Sequence, residues 1–446
     1  MSFLVAPAFA HAHASERGVI LTLPTGRYIV AAATAVALTA LVLPLAPRLP
    51  ALRPWRLLSL PRPPEALGSW LGSTALLALV ALGFLGPRDP LENLLPLTVW
   101  TLVWSGLALA SMLVGNLWPA IQPWSAPAGA LRRRLGRTGS IGLARLGAWP
   151  AVAGLFTIAW FELVSLAPAD PAVLARAVLG YWLAVLALVV LEGPSWLATG
   201  EAVTVLLGFI SRVAPLWWQP DGGRLRLMVG LPGTQIAAMP PLAPGAAAFV
   251  ALMLATISFD GLSHSFWWLG LIGVNPLDYP GRSALVTANS LGLLGAWALT
   301  AASILAAVAV GHRLAGRRGG LWTAAARILP SFLPIAAAYH AAHYLIDLLT
   351  GGRYALAALN DPLDRGWKLL GLADDWASFG FLSDRASVEA IWNVQFALIL
   401  GGHLVAVCLG IRLAGPGPLR AHLPMTALMV GYTVLGLWLL STATAG

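Results

Sequence analysis

Residues 28–45 and 294–310 carry no charged side chain at all. At about 1.5 Å of rise per residue, a helix of that length approaches the thickness of a bilayer's hydrocarbon core. Backbone groups in lipid must find partners within their own segment or in a closed barrel. These runs lack the alternation of barrel strands, so helices are the reading. Composition agrees: 58% of the 446 residues are hydrophobic and only 10% charged, against about 25% charged in a soluble domain. The sequence predicts an all-α polytopic transmembrane bundle of about ten spans.

The spans are placed near residues 28–46, 68–86, 94–115, 147–168, 174–192, 246–260, 285–312, 328–349, 390–412 and 422–443. Arginines test this division. Arg48, Arg53, Arg56 and Arg62 follow the first span, Arg132 to Arg134, Arg137 and Arg145 the third, and Arg313, Arg317, Arg318 and Arg327 the seventh. All these loops fall on one side, which the positive-inside rule makes cytoplasmic. The N-terminus, the loop after the sixth span, a long loop at 350–389 and the C-terminus are then outside. Trp118, Trp124, Trp217, Trp218, Trp267 and Trp268 sit near span ends, where indole rings favour the headgroup layer. The apolar stretch 201–216 is short and is read as an interfacial helix. Asp361 followed by Pro362 predicts the start of a short outer helix. One transmembrane domain, 28–446, follows an outer segment 1–27, in which Ala8-Phe9-Ala10 resembles the end of a short signal peptide.

Ionisable groups inside spans are costly, so each is a functional candidate. The eighth span reads Ala338-Tyr339-His340-Ala341-Ala342-His343-Tyr344-Leu345-Ile346-Asp347. At about 100° per residue, His343 lies about 60° and Asp347 about 20° from His340 around the helix. Two imidazoles and a carboxylate on one arc are expected to form a metal half-site. Such donors suit a divalent transition metal, with zinc or copper foremost. His264, His11 and His13 are expected further ligands from the outer side, and Asp260 and Glu162 are placed as catalytic base or additional ligand. His403, alone in the ninth span, is expected to bond between helices.

The basic excess, +9 in net charge, sits in loops and is explained by topology rather than by nucleic acid. The single cysteine, Cys408, excludes an intramolecular disulfide. No phosphate loop, dinucleotide glycine pattern or nucleophile elbow stands in a usable context.

Several segments carry a resemblance. Val114-Gly115-Asn116-Leu117-Trp118 with Pro123-Trp124, Ser258-Phe259-Asp260-Gly261-Leu262-Ser263, Ala338-Tyr339-His340-Ala341-Ala342-His343-Tyr344, Asp361-Pro362 and Gly366-Trp367 together resemble a family of bacterial polytopic membrane proteins named fenitrothion hydrolase. The likeness runs from about residue 11 to the ninth span. It implies a multi-pass protein of the bacterial cytoplasmic membrane and hydrolysis of an apolar, organophosphorus-type ester. The family pattern places a tyrosine and an aspartate before the first span, and Ser15 to Leu23 lacks both. The expected function is thus a metal-dependent hydrolase in which the ion activates water. Two alternatives stand beside it: a copper-like metal-binding or transport protein, and a non-catalytic subunit bound to other membrane subunits.

Overall fold

A computed structural model describes residues 23–45, 51–278, 281–373 and 376–442. His11, His13 and the Ala8-Phe9-Ala10 site lie outside the described residues. Among those described, nine helices are long and apolar enough to cross a membrane. They include the first, Thr25–Val42, the second, Glu65–Leu85, and the third, Leu94–Val114, as well as the fifth, Pro171–Glu192. The sixth is Pro244–Ser263, the seventh Arg282–Leu314, the ninth Arg385–Ala414 and the tenth Leu419–Ser441. The eighth is a broken unit whose longer part is Leu333–Asn360. The chain is an all-α multi-pass membrane protein.

The fourth crossing, Trp149–Leu163, has only 15 residues. It runs parallel to the sixth at the same depth. A Cβ on Gly245 would lie 3.0 Å from the Trp149 amide nitrogen, and at the other end Phe259 packs with Ala159, Leu163 and Val164. A helix that keeps pace with a crossing helix from end to end crosses too. Its loss of length is made up by the loops that flank it.

A departure from the all-helical expectation is a small sheet, with β1 Trp55–Pro61, β2 Leu216–Asp221 and β3 Arg224–Val229 in the order β1-β3-β2. Both pairings are antiparallel, with Trp55 and Leu216 each opposite Val229. Gly222, at φ +57°, makes the turn between β2 and β3, a backbone state glycine adopts without penalty. The sheet fixes the topology. Between β1 and β3 lie four crossings, an even number, so the remaining stretch must begin and end on the same side. Helices Pro194–Gly200 and Ala202–Val213 make up that stretch and are bent 63° at their junction. They enter the bundle and return. The interfacial position expected for residues 201–216 is therefore corrected to a re-entrant one.

Glu201 occupies the bend and is 1% exposed. Its carboxylate accepts the amides of Val203 (2.9 Å) and Thr204 (2.7 Å), the Thr204 hydroxyl (2.5 Å) and the Tyr181 hydroxyl. It caps the second half of the re-entrant pair, satisfying amides that a helix start would leave orphaned in lipid. The Trp118 indole donates to Thr204 (3.0 Å), and that of Trp124 to the Trp182 carbonyl (3.1 Å). Both rings are buried in the bundle rather than in the headgroup layer.

The sixth and eighth helices form the centre and are the most deeply buried of the long apolar helices. The eighth unit starts as Leu321–Ile328, tightens at Leu329–Phe332 and resumes at Leu333. Pro330 has no N–H for the carbonyl four residues back. That carbonyl, of Ala326, accepts the Leu242 amide at 2.9 Å, so protein satisfies the break. At its other end the helix continues to Asn360. The long outer segment is thus 361–384, shorter than the expected 350–389. Asp361 starts no helix: its carboxylate accepts the amides of Arg365 (2.9 Å) and Gly366 (2.6 Å) and closes a turn.

Candidate functional site

Polar residues of the eighth helix are distributed onto three neighbours. His340 turns toward the third helix, with Nε2 2.8 Å from the Trp104 carbonyl. Two helical turns farther on, Asp347 Oδ2 accepts the Ser105 hydroxyl at 2.8 Å. Trp104 and Ser105 belong to a stretch, Leu97–Leu107, wound with five-residue rather than four-residue hydrogen-bond steps. Such wide turns are rare and concentrate at functional sites. The wider turn presents successive residues, 104 and 105, to one facing helix.

His343 and Tyr344 face the other way. His343 Nε2 lies 2.9 Å from Asp260 Oδ2 of the sixth helix, and the Tyr344 hydroxyl lies 2.9 Å from the same oxygen. That hydroxyl is also 3.2 Å from Glu162 Oε1 of the fourth helix. Asp260 is buried at 8% exposure. His264 closes the sixth helix: its Nδ1 is 3.0 Å from the Asp260 carbonyl oxygen and 3.7 Å from Oδ1, with the ring half exposed at the outer end. Two carboxylates, two histidines and a tyrosine from three helices therefore meet in the outer half.

The expected trio of His340, His343 and Asp347 does not converge. A shared arc on the wheel is not a shared direction, because three different helices pack along that arc. Among the described residues, no three His, Cys, Asp or Glu side chains stand as a formed metal site. By donor type, Glu162, Asp260 and His343 do fit a divalent ion, since carboxylate oxygen and imidazole nitrogen are ordinary ligands. Their spacing is that of hydrogen bonds, with the Tyr344 hydroxyl between the carboxylates. An ion would enter by displacing that hydroxyl.

A small cavity of about 20 Å³ lies beneath, lined by Trp104, Glu162, Thr256, Asp260, His340 and Tyr344 among others. A space of that size holds a water or a bare ion. An ester does not fit in it.

Tyr344 and Ser105 were not among the residues expected from sequence. Tyr344 had a signal: it lies about 40° from His340 on the same wheel, with a hydroxyl that needs a partner in lipid. His403, expected to bond between helices, instead has Nδ1 2.8 Å from the Ile399 carbonyl of its own helix.

Comparison with protein-family models, with curated proteins and with solved structures finds no match.

Proposed function

We propose that this protein binds a cation in the outer half of a bacterial cytoplasmic-membrane bundle, at Glu162, Asp260 and His343. The observation that carries the reading is the single Tyr344 hydroxyl set between two carboxylates. One hydroxyl proton serves one acceptor. Two carboxylate charges within about 6 Å repel by roughly 3 kcal/mol at an effective dielectric near 20, so a positive charge between them stabilises the site. Arg282 lies nearby but does not sit between them, since its guanidinium bonds the backbone oxygens of Glu162 and Ser165. His264 stands at the outer entrance. The cavity admits species of ionic size. A divalent transition metal is the occupant inferred, and a proton is the alternative carrier of the same charge.

Mass-spectrometric metal content of the native protein, Asp260→Asn and His343→Ala tests the reading. One equivalent in the native protein and at least a tenfold loss in both variants is the expected result. Metal-free native protein that takes up one proton fewer after Asp260→Asn identifies the cation as a proton. A native protein that shows neither response refutes the proposal.

Hydrolysis is a second reading, favoured by the Asp260 and His343 pair. Nε2 held by a carboxylate leaves Nδ1 as the basic nitrogen, the way a carboxylate orients a general base. An ester would approach from the outer rim rather than the cavity. Turnover of an apolar phosphotriester in detergent, abolished by His343→Ala, is the outcome it requires.

A further inference from the structure

A second cavity, of about 70 Å³, opens at the arginine-rich end, far from the cation site and independent of it. Its rim carries His312, Arg317 and His422, and its walls include Ala307, Gly311, Val407, Gly410, Met425 and Met429. The seventh, ninth and tenth helices, the loops that follow the seventh and precede the tenth, and the first part of the eighth unit supply all of it but Ala40. Residues 279–346 and 390–446, which include every lining residue except Ala40, contain no Asp or Glu. The same stretches hold Arg313, Arg318, Arg327, Arg412 and Arg420.

Arg317 on the rim and Arg420 beside it are oriented by backbone carbonyls, and among the described residues no carboxylate pairs with either. Arg317 donates to the Pro416 carbonyl at 2.9 Å, Arg420 to the Leu314 carbonyl at 3.0 Å, and His312 Nε2 is 2.7 Å from the Gly319 carbonyl. The two arginine bonds tie the end of the seventh helix and its loop to the loop and start of the tenth, and none of the three brings a negative charge. Below the rim the surface becomes apolar. Met429 is seven residues beyond His422 on one helix, so it lies about 10 Å deeper. Ala307 and Gly410 are small residues on that wall, and Gly311 lets the Ala421 backbone of the tenth helix approach closely.

A cationic mouth over an apolar shaft, at the depth where headgroups meet acyl chains, matches an amphiphile with an anionic head. We infer that this pocket binds an anionic phospholipid, with its phosphate at Arg317, His312 and His422 and part of a chain against Met425 and Met429. Basic pockets between helices on the inner side are a recurrent form of lipid recognition, each cation near the surface contributing about fivefold in affinity.

The test is native mass spectrometry of the full chain after exchange into nanodiscs of phosphatidylcholine mixed with phosphatidylglycerol. Retention of phosphatidylglycerol over phosphatidylcholine is expected, reduced about fivefold by Arg317→Gln and further by Arg317→Gln with His422→Gln. Arg134→Gln, an exposed arginine elsewhere at the same end, is expected to leave retention unchanged. An equal loss in Arg134→Gln reduces the effect to general surface charge and overturns the site. So does equal retention of the two lipids by the native protein, a measurement that depends on no variant. Stabilisation by inorganic phosphate in pure phosphatidylcholine, matching that by phosphatidylglycerol, would make the ligand a free anion and overturn the lipid assignment.

Discussion

Glu201 offers a quantitative check on the re-entrant bend. Its two oxygens accept four hydrogen bonds at 1% exposure. Glu201→Ala leaves the Val203 and Thr204 amides and the Thr204 and Tyr181 hydroxyls without an acceptor, since the Trp118 indole only donates to Thr204. A buried unsatisfied donor costs about 1–3 kcal/mol in soluble proteins. Side-chain bonds in membrane proteins average nearer 0.6 kcal/mol, reaching about 1.7. Four orphaned donors, two of them backbone, therefore cost about 2–7 kcal/mol. Glu201→Gln keeps one acceptor oxygen and turns an amide group toward the remaining donors, for about half that loss. Reversible unfolding in mixed micelles with rising SDS, followed by tryptophan fluorescence, measures both, with exposed Glu389→Gln as the near-neutral reference. If Glu201→Ala lies within about 0.5 kcal/mol of that reference, the carboxylate does not hold the bend and the reasoning is refuted.

Two more outcomes follow from the topology and the outer turn. In a Cys408→Ser background, cysteines at Gly222 and Gly136 are expected to react with an impermeant thiol reagent from one side and a cysteine at Gly366 from the other; labelling of 136 and 366 from one side and 222 from the other would make 194–213 a crossing. The Arg365 amide, together with that of Gly366, holds the Asp361 carboxyl below its usual value of 3.8. A depressed pKa contributes stability that is present above the unfolded value and lost as pH falls through the folded one. Hydrogen exchange at Arg365 and Gly366, corrected for intrinsic rates, should stay protected at neutral pH and open only below pH 3.8, and opening between pH 5 and 7 would contradict the assignment.

Much of the bundle was legible because lipid leaves few options. Apolar length gave the spans, and arginine placement grouped the loops that the structure brings to one end. The fourth helix was counted although it is short, since its flanks are apolar as well. What stayed hidden depends on contacts between distant segments. Nothing local in Trp55–Pro61 names β3 as its partner, and the return of 194–213 is visible only once that pairing is known. The site shows the same limit. Periodicity put His340, His343 and Asp347 on one arc, but the directions they take depend on where the third, fourth and sixth helices pack. The wide turns at Leu97–Leu107 left no sequence mark either, and they bring Trp104 and Ser105 to the eighth helix.

The pairing of β1 with β3 also bears on how the chain is made. Pro61 lies opposite Arg224, so its partner leaves the ribosome well over a hundred residues later. At about 5–20 residues per second, the first strand waits roughly ten to thirty seconds. Four helices must insert in that interval while an edge of unpaired amides and carbonyls stays exposed. Arg56 within the strand and the prolines at its C-terminal border, Pro61, Pro63 and Pro64, make that waiting edge a poor template for other chains. Insertion of the first half is in this sense provisional, and closing the sheet is the step that commits the nascent protein to its final set of crossings.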